Sequence, residues 1–281
     1  MHTHIQMKKV PILMYHSISC NARSRFRQFT VSPASFAEQM AYLHQHAYTP
    51  MSITQYVRER SQGGAALPER PVVLTFDDGF ADFFTAALPV LKQYNFTATL
   101  YVTTAFIDGT SRWLRLESET TRLMITWKQL TEISTSGIEC GAHSHSHPQL
   151  DILPCTAAWD EILQSKRLLE DHLGREIFSF AYPYGYHTAR VRQFVREAGY
   201  TSACAVKHAM SSKTDDPLSL ARLIVSADST LEGFAALLTG RSSSPATAVY
   251  KIYARARTPI WQLVRRCAAS VAQCLQEGRL A

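Results

Sequence analysis

Apolar and polar positions along the chain follow two alternating rhythms. Short, wholly apolar runs such as "VVLTF" (72–76) have the make-up of strands buried on both faces, and longer stretches repeat apolar residues every three or four positions, as helices do. "VPILMYHSI" (10–18) reads as a first strand that runs into a polar, arginine-rich loop over 20–30. "SPASFAEQMAYLHQHAY" (32–48) opens with Ser32 and Pro33, a cap and first-turn pair, and carries Phe36, Met40 and Leu43 at helical spacing. "SQGGAALPERP" (61–71) reads as a linker.

From "VVLTF" onward the rhythm becomes strand, helix, strand. A helix through Phe83, Phe84, Ala87, Leu88 and Leu91 is followed by the strand "TATLYVT" (97–103). A second round runs through the helix "TWKQLTEISTS" (126–136), a stop at Gly137, the strand "IECGA" (138–142) and the helix "AAWDEILQSKRLLEDHLG" (157–174). A third comprises "FSFAYPYG" (178–185), "ARVRQFVREAGY" (189–200) and "TSACAV" (201–206). Repeated βαβ units imply a parallel sheet, open or closed into a barrel, with functional residues at the C-terminal ends of its strands.

Length and composition narrow the picture. With 281 residues, 46% of them hydrophobic, the chain suffices for one α/β domain with a sizeable core. We place that domain at 1–240 and a basic amphipathic tail at 241–281, after a serine-rich break. The tail interleaves Lys251, Arg255, Arg257, Arg265 and Arg266 with Ile252, Tyr253, Ile260, Trp261 and Leu263. It suits either peripheral contact with an anionic membrane or packing against the barrel. The net charge of +6 would favour an anionic partner, but nothing resembles a nucleic-acid module, so no nucleic acid is expected.

Six scattered cysteines without a CxxC pair suit free thiols, a disulfide remaining an alternative. The N-terminal apolar stretch is too short for a signal peptide and lacks a cleavage site, and no run reaches the roughly eighteen apolar residues of a spanning helix. The expectation is a cytoplasmic protein that is either soluble or membrane-associated.

Two motifs carry chemistry. In "LTFDDG" (74–79) a strand stops at adjacent carboxylates, Asp77 and Asp78. These are either a turn with a helix cap, or a pair in which one aspartate ligates a metal and its neighbour takes a proton from water. In "GAHSHSHPQL" (141–150), His143, His145 and His147 stand at every second position. They form either a solvated turn or a loop wrapping a cation, which Asp78 could complete while leaving positions open for water and substrate. Zinc suits such a set, with cobalt, nickel and manganese as alternatives.

"LTFDDGFADFFTAALPVLKQYNFTATLYV", "ITWKQLTEISTSGIECGAHSHSHPQL" and "FSFAYPYGYHTARVRQFVREAGYTSACAV" resemble the successive motifs of the polysaccharide deacetylase (NodB-homology) family over roughly residues 70 to 206. "PILMYHSIS" extends the resemblance to a branch with a Tyr-His motif near its N-terminus. The resemblance implies a distorted (β/α)7-8 TIM-like barrel and metal-dependent removal of N-acetyl groups from amino sugars in a glycan, glycolipid or small glycoside. On that basis Asp77 matches the catalytic base, and Asp78, His143 and His147 match the ligands of a divalent metal. Ser144 matches a loop-stabilising serine and His145 a variable position. Tyr184 matches the residue whose backbone N–H helps to bind the oxyanion.

Two positions depart from the family pattern. Where many members carry arginine the chain has Ala181, so the group orienting Asp77 must come from elsewhere; Arg222 in "SLARLIV" is a candidate, with an ordinary surface role as the alternative. The family's late Leu-x-His motif is not evident after residue 206, and in the Tyr-His branch the N-terminal histidine serves as acid, which points to His16, the alternative being a structural histidine. Trp113, Trp127 and Tyr182 could stack on sugars or pack in the core. An O-acetyl esterase on the same site and a carbohydrate-binding pseudo-enzyme remain as rivals, the second kept open by Ala181 and the missing late histidine.

Overall fold

The strand Pro71–Phe76 sets the plan of the molecule. Val72, Leu74 and Phe76 pack outward against helices, while Val73 joins an inner cluster and Thr75 bonds inward to Arg222, the two-residue period of a strand covered on both faces. The computed structural model describes residues 9–241 apart from 65 and 213.

In chain order the elements are β1 (Ile12–Tyr15), β2 (Ser17–Ile18), β3 (Thr30–Val31), α1 (Pro33–Gln45), β4 (Thr49–Met51), α2 (Ile53–Ser61) and β5 (Pro71–Phe76). There follow α3 (Leu88–Gln93), β6 (Thr99–Val102), α4 (Trp127–Thr135), β7 (Glu139–Ala142), α5 (Cys155–Leu173), β8 (Ser179–Ala181), α6 (Ala189–Glu197), β9 (Ser202–Cys204), β10 (Leu223–Ile224) and α7 (Leu231–Leu238). The main sheet runs β10-β1-β5-β6-β7-β8-β9, all parallel, with β4 also paired to β5. Its two ends meet through one bridge, Cys204 with Leu220, where Leu220 N–H donates to Ala203 O and Ala205 N–H to Leu220 O, each at 2.9 Å. The alternating rhythm leaves the sheet open or closed; the result is the distorted barrel that the family resemblance implies, joined at its seam by a single residue rather than a full strand.

Phe36, Met40 and Leu43 of α1 belong with Leu13, Tyr15, Leu74 and Phe76 to the larger cluster between sheet and helices. Ile12, Val73, Tyr101, Ala181, Cys204 and Leu220 fill the interior of the barrel. Inside, Tyr101 takes the space beside Gly141: a Cβ on Gly141 would stand 2.6 Å from the Tyr101 ring and from Ser179 Oγ.

The structure adds two elements within residues 49–61, β4 and α2. Pro50 masked the first, since proline is tolerated only where a strand has no neighbour to receive its N–H, and β4 pairs with β5 alone. α2 begins with a capping box in which Ser52 Oγ accepts from Gln55 N–H and the Gln55 side chain accepts from Ser52 N–H. The helix expected through Phe83 to Leu91 is present, but its first turn, Phe83–Ala87, is wound as a π-turn before α3. Pro89 offers no N–H to the preceding turn, and the Leu88 N–H instead reaches back to Phe83 O.

Cys20, Cys140, Cys155 and Cys204 are free thiols; Cys267 and Cys274 lie outside the described residues. Past residue 241, the basic tail and its expected membrane contact also lie outside them. Among the described residues no helix is long and apolar enough to cross a membrane.

Candidate active site

Strand periodicity brings the first two site residues to the same end of the barrel. Asp77 continues the inward phase of Val73 and Thr75, and His143 continues that of Glu139 and Gly141. Each still takes part in the ladder, Asp77 N–H donating to Tyr15 O at 2.9 Å and His143 N–H to Val102 O at 3.0 Å. Past β5 the chain turns sharply: Asp78 (φ 75°) and Gly79 (φ 83°) both adopt left-handed backbone, and Asp78 swings to the histidine loop.

The histidine loop is built the same way. Ser144 (φ 61°) and His147 (φ 62°) are left-handed, and Ser144 Oγ accepts from His147 N–H at 3.0 Å, closing the turn. Non-glycine residues pay for such backbone, so its recurrence at Asp78, Ser144, His147 and Tyr184 (φ 58°) marks a region whose geometry the fold imposes. Glu161, from α5, clamps the loop from outside: one carboxylate oxygen accepts from His145 N–H at 2.9 Å and Ser146 N–H at 2.7 Å, the other from Ser146 Oγ at 2.5 Å.

Asp78, His143 and His147 converge. Nε2 of His143 lies 3.4 Å and Nε2 of His147 3.2 Å from the same Asp78 oxygen, and the three ligand atoms are within 4.8 Å of one another. His143 Nδ1 faces Ala181 O at 2.8 Å, a bond that places the proton on Nδ1 and leaves Nε2 as the lone-pair nitrogen facing Asp78. His147 Nδ1 is buried without a hydrogen-bond partner. Two imidazoles and a carboxylate, buried and pointed at one another, fit a divalent cation in type and number. His145 turns away, its Nδ1 against Thr104 Oγ1 at 2.9 Å.

Beside this trio, Arg222 grips Asp77 with two parallel bonds, Nη1 to Oδ1 at 2.6 Å and Nη2 to Oδ2 at 2.7 Å. Nη1 also reaches Thr75 Oγ1 and Nε reaches Ala205 O, both at 3.2 Å. Arg222 is fully buried, so its surface alternative does not hold. Burial alone would push the Asp77 carboxyl up, but Arg222 and then His143 outweigh it and hold the group below the usual carboxylate range. Asp78 is likewise pushed up by burial and brought well below that range by the His143 and His147 imidazoles that face it. Burial also disfavours charge on the imidazoles; at His143 the aspartates prevail and its pKa rises, whereas at His147 burial prevails and its pKa falls.

A cavity of about 500 Å³ opens over Asp78 and His147, walled by His16, Arg25, Trp113, Tyr184 and Tyr186 among others. His16 is half-buried there, its ring 5.0 Å from that of Phe29, its Nδ1 buried without a partner and its pKa lowered by burial against the pull of Asp78 and Asp77. The Tyr184 and Trp113 rings stand 4.8 and 5.3 Å from the His147 ring. Trp127 instead stacks on His172 at 3.7 Å, and Tyr182 is buried with its hydroxyl donating to Leu218 O at 2.9 Å, so neither lines this cavity.

Residues 64–203 match the family model described as "Polysaccharide deacetylase". The chain is similar to a poly-beta-1,6-N-acetyl-D-glucosamine N-deacetylase of Escherichia coli (strain K12), 31% identical over 140 residues, or 48% of this chain and 20% of that protein. The chain thus spans about a fifth of that relative's length. An enzyme of the same name from Staphylococcus aureus (strain MRSA252) is 21% identical over 217 residues, 74% of this chain and 72% of the relative. Among solved structures, the Streptococcus pyogenes deacetylase PplD in complex with acetate superimposes with a TM-score of 0.71 at 26% identity, covering 84% of this chain and 99% of that one.

Proposed function

The chain belongs to the polysaccharide deacetylase family, and from that premise we propose that it hydrolyses the N-acetyl group of an amino sugar in a glycan, glycolipid or small glycoside, releasing acetate. The observation that carries this reading is the convergence of Asp78, His143 and His147 beside an Asp77 held by Arg222, under an open cavity. Asp78, His143 and His147 would hold a divalent metal, with zinc the best match to the donor set. When bound, such an ion supplies Lewis acidity toward the acetyl carbonyl and acidifies water.

The chain's own groups divide the remaining work. Asp77, kept ionised and oriented by Arg222, accepts the proton of the water that attacks the carbonyl carbon. The Tyr184 backbone N–H donates to the oxygen that becomes negative. His16 gives a proton to the departing nitrogen, leaving a free amine and acetate. Ala181, which lacks the family's side chain, serves the site through its carbonyl on His143 Nδ1. The Arg222 pair weakens the pseudo-enzyme reading, because it supplies from the residue before β10 the cation that Ala181 omits.

The test is mass spectrometry of N-acetylated and O-acetylated oligosaccharides after incubation with metal-loaded protein, chelated protein and the Asp77→Asn variant. Loss of one acetyl mass from the N-acetylated set, by the loaded wild type alone, is the expected result. Loss from the O-acetylated set only would assign an esterase, and loss from neither would leave a binder.

A further inference from the structure

Two loops wall the mouth of the cavity, residues 19–29 and 107–124, and they are sewn together. Arg122 donates to Asn21 O at 2.7 Å, to Glu119 at 3.5 Å and to Ser17 Oγ at 2.5 Å, and pairs with Asp82 at 3.3 Å; Glu119 in turn accepts from Arg23 N–H. Arg25 Nη1 crosses to Leu116 O at 2.9 Å. The rim is therefore set before any ligand arrives, and ordering it does not draw on binding energy.

The two loops carry positive charge without an ion-pair partner, and of it Arg25 lines the cavity. Arg23, Arg25 and Arg27 of the first loop and Arg112 and Arg115 of the second are exposed, and among the described residues none of the five forms an ion pair outside its own loop or within it. The first loop has no acid at all. Of the two carboxylates lining the cavity, Asp78 is committed to His143 and His147, and only Glu117 opposes the arginines. Arg25 itself lines the cavity with one of its donors spent on Leu116 and the rest of its fork open to a ligand. A planar guanidinium fork is the recognition chemistry of phosphate oxygens, and a neutral polymer of N-acetylated sugars makes no use of it.

We propose that the substrate is an N-acetylated amino sugar bearing a phosphate or diphosphate group, which Arg25 binds at the cavity mouth with Arg112 and Arg115 adding long-range attraction, while the acetamide reaches Asp77 below. The proposal rests on the deacetylase reading and names the substrate class of that same site. The phosphate could belong to a nucleotide or to a lipid carrier.

The experiment measures acetate release by the metal-loaded full chain from three probes: a neutral N-acetylglucosamine oligomer, a nucleoside-diphosphate-linked N-acetyl amino sugar, and a polyprenyl-diphosphate-linked one in neutral detergent micelles. A phosphorylated probe should exceed the neutral one in kcat/KM by roughly tenfold or more, the order expected of one charge-assisted contact. That ratio should collapse as ionic strength rises from about 0.01 M to about 1 M, where the Debye length shrinks from ~30 Å to ~3 Å. Arg25→Gln should lower the ratio through KM and Arg25→Lys should restore part of it, with circular dichroism confirming that both fold. The better of the two phosphorylated probes identifies the source. Turnover of the neutral oligomer with a salt-independent ratio near one overturns the phosphate proposal and leaves the deacetylase standing; acetate from none of the probes sinks both.

Discussion

Arg222 and Asp77 make a two-point contact of 2.6 and 2.7 Å with both partners withdrawn from solvent, although 145 residues separate them in sequence. Removing one partner of such a pair strands the other's charge, which costs about 3–5 kcal/mol. Arg222→Met should therefore destabilise the fold by that order in urea titration. Asp77 has a depressed folded pKa, so the pair's contribution is full above the ordinary carboxylate value near ~3.9 and fades as pH falls through the lower folded value. The stability gap between wild type and variant should close in acid and should keep widening above about pH 4 until the raised Asp77 carboxyl of the variant has ionised. In pH–rate profiles the acid limb should move to higher pH in Arg222→Met, because without the guanidinium burial pushes the Asp77 carboxyl up. An unmoved limb would separate Asp77 from the base role.

Asp78, His143 and His147 can be tested without a turnover assay. Alanine at any of the three should abolish stoichiometric metal in elemental analysis of the purified protein. In the wild type a divalent ion at about 100 times its Kd should raise stability by ~2.7 kcal/mol, and chelation should reverse the gain. Because ligating imidazoles must be neutral, affinity should fall as pH is lowered. Thermal unfolding scans that are indifferent to zinc, cobalt, nickel and manganese would refute the site.

Glu161 touches no reacting atom, yet it accepts three bonds from the loop that carries the histidines. Glu161→Ala should raise the metal Kd by about tenfold or more, as loss of outer support does at metal sites, while saturating metal restores much of kcat. A purely structural role would lower thermal stability and leave the metal titration unchanged.

The interior of the barrel is tight at Gly141, where an added Cβ meets the Tyr101 ring and Ser179 Oγ at 2.6 Å. Gly141→Ala should cost ~1–3 kcal/mol or more in denaturant titration, and Tyr101→Leu in the same chain should recover part of it. Equal losses with and without the larger Tyr101 would place the strain elsewhere.

Legibility in the sequence followed the range of the interactions involved. β5 and β7 announced themselves by apolar runs ending in charged or imidazole residues, since a strand's period also fixes which way the next residue faces. β4 was hidden by Pro50, and α2 by its charged surface, although the Ser52 and Gln55 capping pair was there to be read. Arg222 could be named only as a candidate, because its partner Asp77 lies 145 residues away in sequence, at the end of β5, and no local spacing encodes that. Glu161 and the carbonyl of Ala181 left no signal, one being an ordinary helical acid and the other main chain. The arginines of 23–27 and 112–115 were visible as residues, but that Arg25 lines the cavity over Asp78 required the fold.

His16 offers the sharpest separation of a chemical from a structural role. It faces the cavity that holds Asp78 and His147, and burial lowers its pKa below the ordinary histidine value of 6.5. A general acid must be protonated to act, so activity should fall as pH rises through the His16 pKa, forming the basic limb of the profile as Asp77 forms the acidic one. His16→Asn should lower kcat on an N-acetyl substrate by roughly 10²- to 10⁴-fold, the usual worth of acid–base assistance, and should erase that basic limb. The leaving group decides the issue. An amine cannot depart without a proton, whereas a nitrophenolate can, so His16→Asn should retain most of its activity on a nitrophenyl acetate. Equal losses on both substrates would return His16 to a packing role against Phe29 and leave the acid to be sought elsewhere.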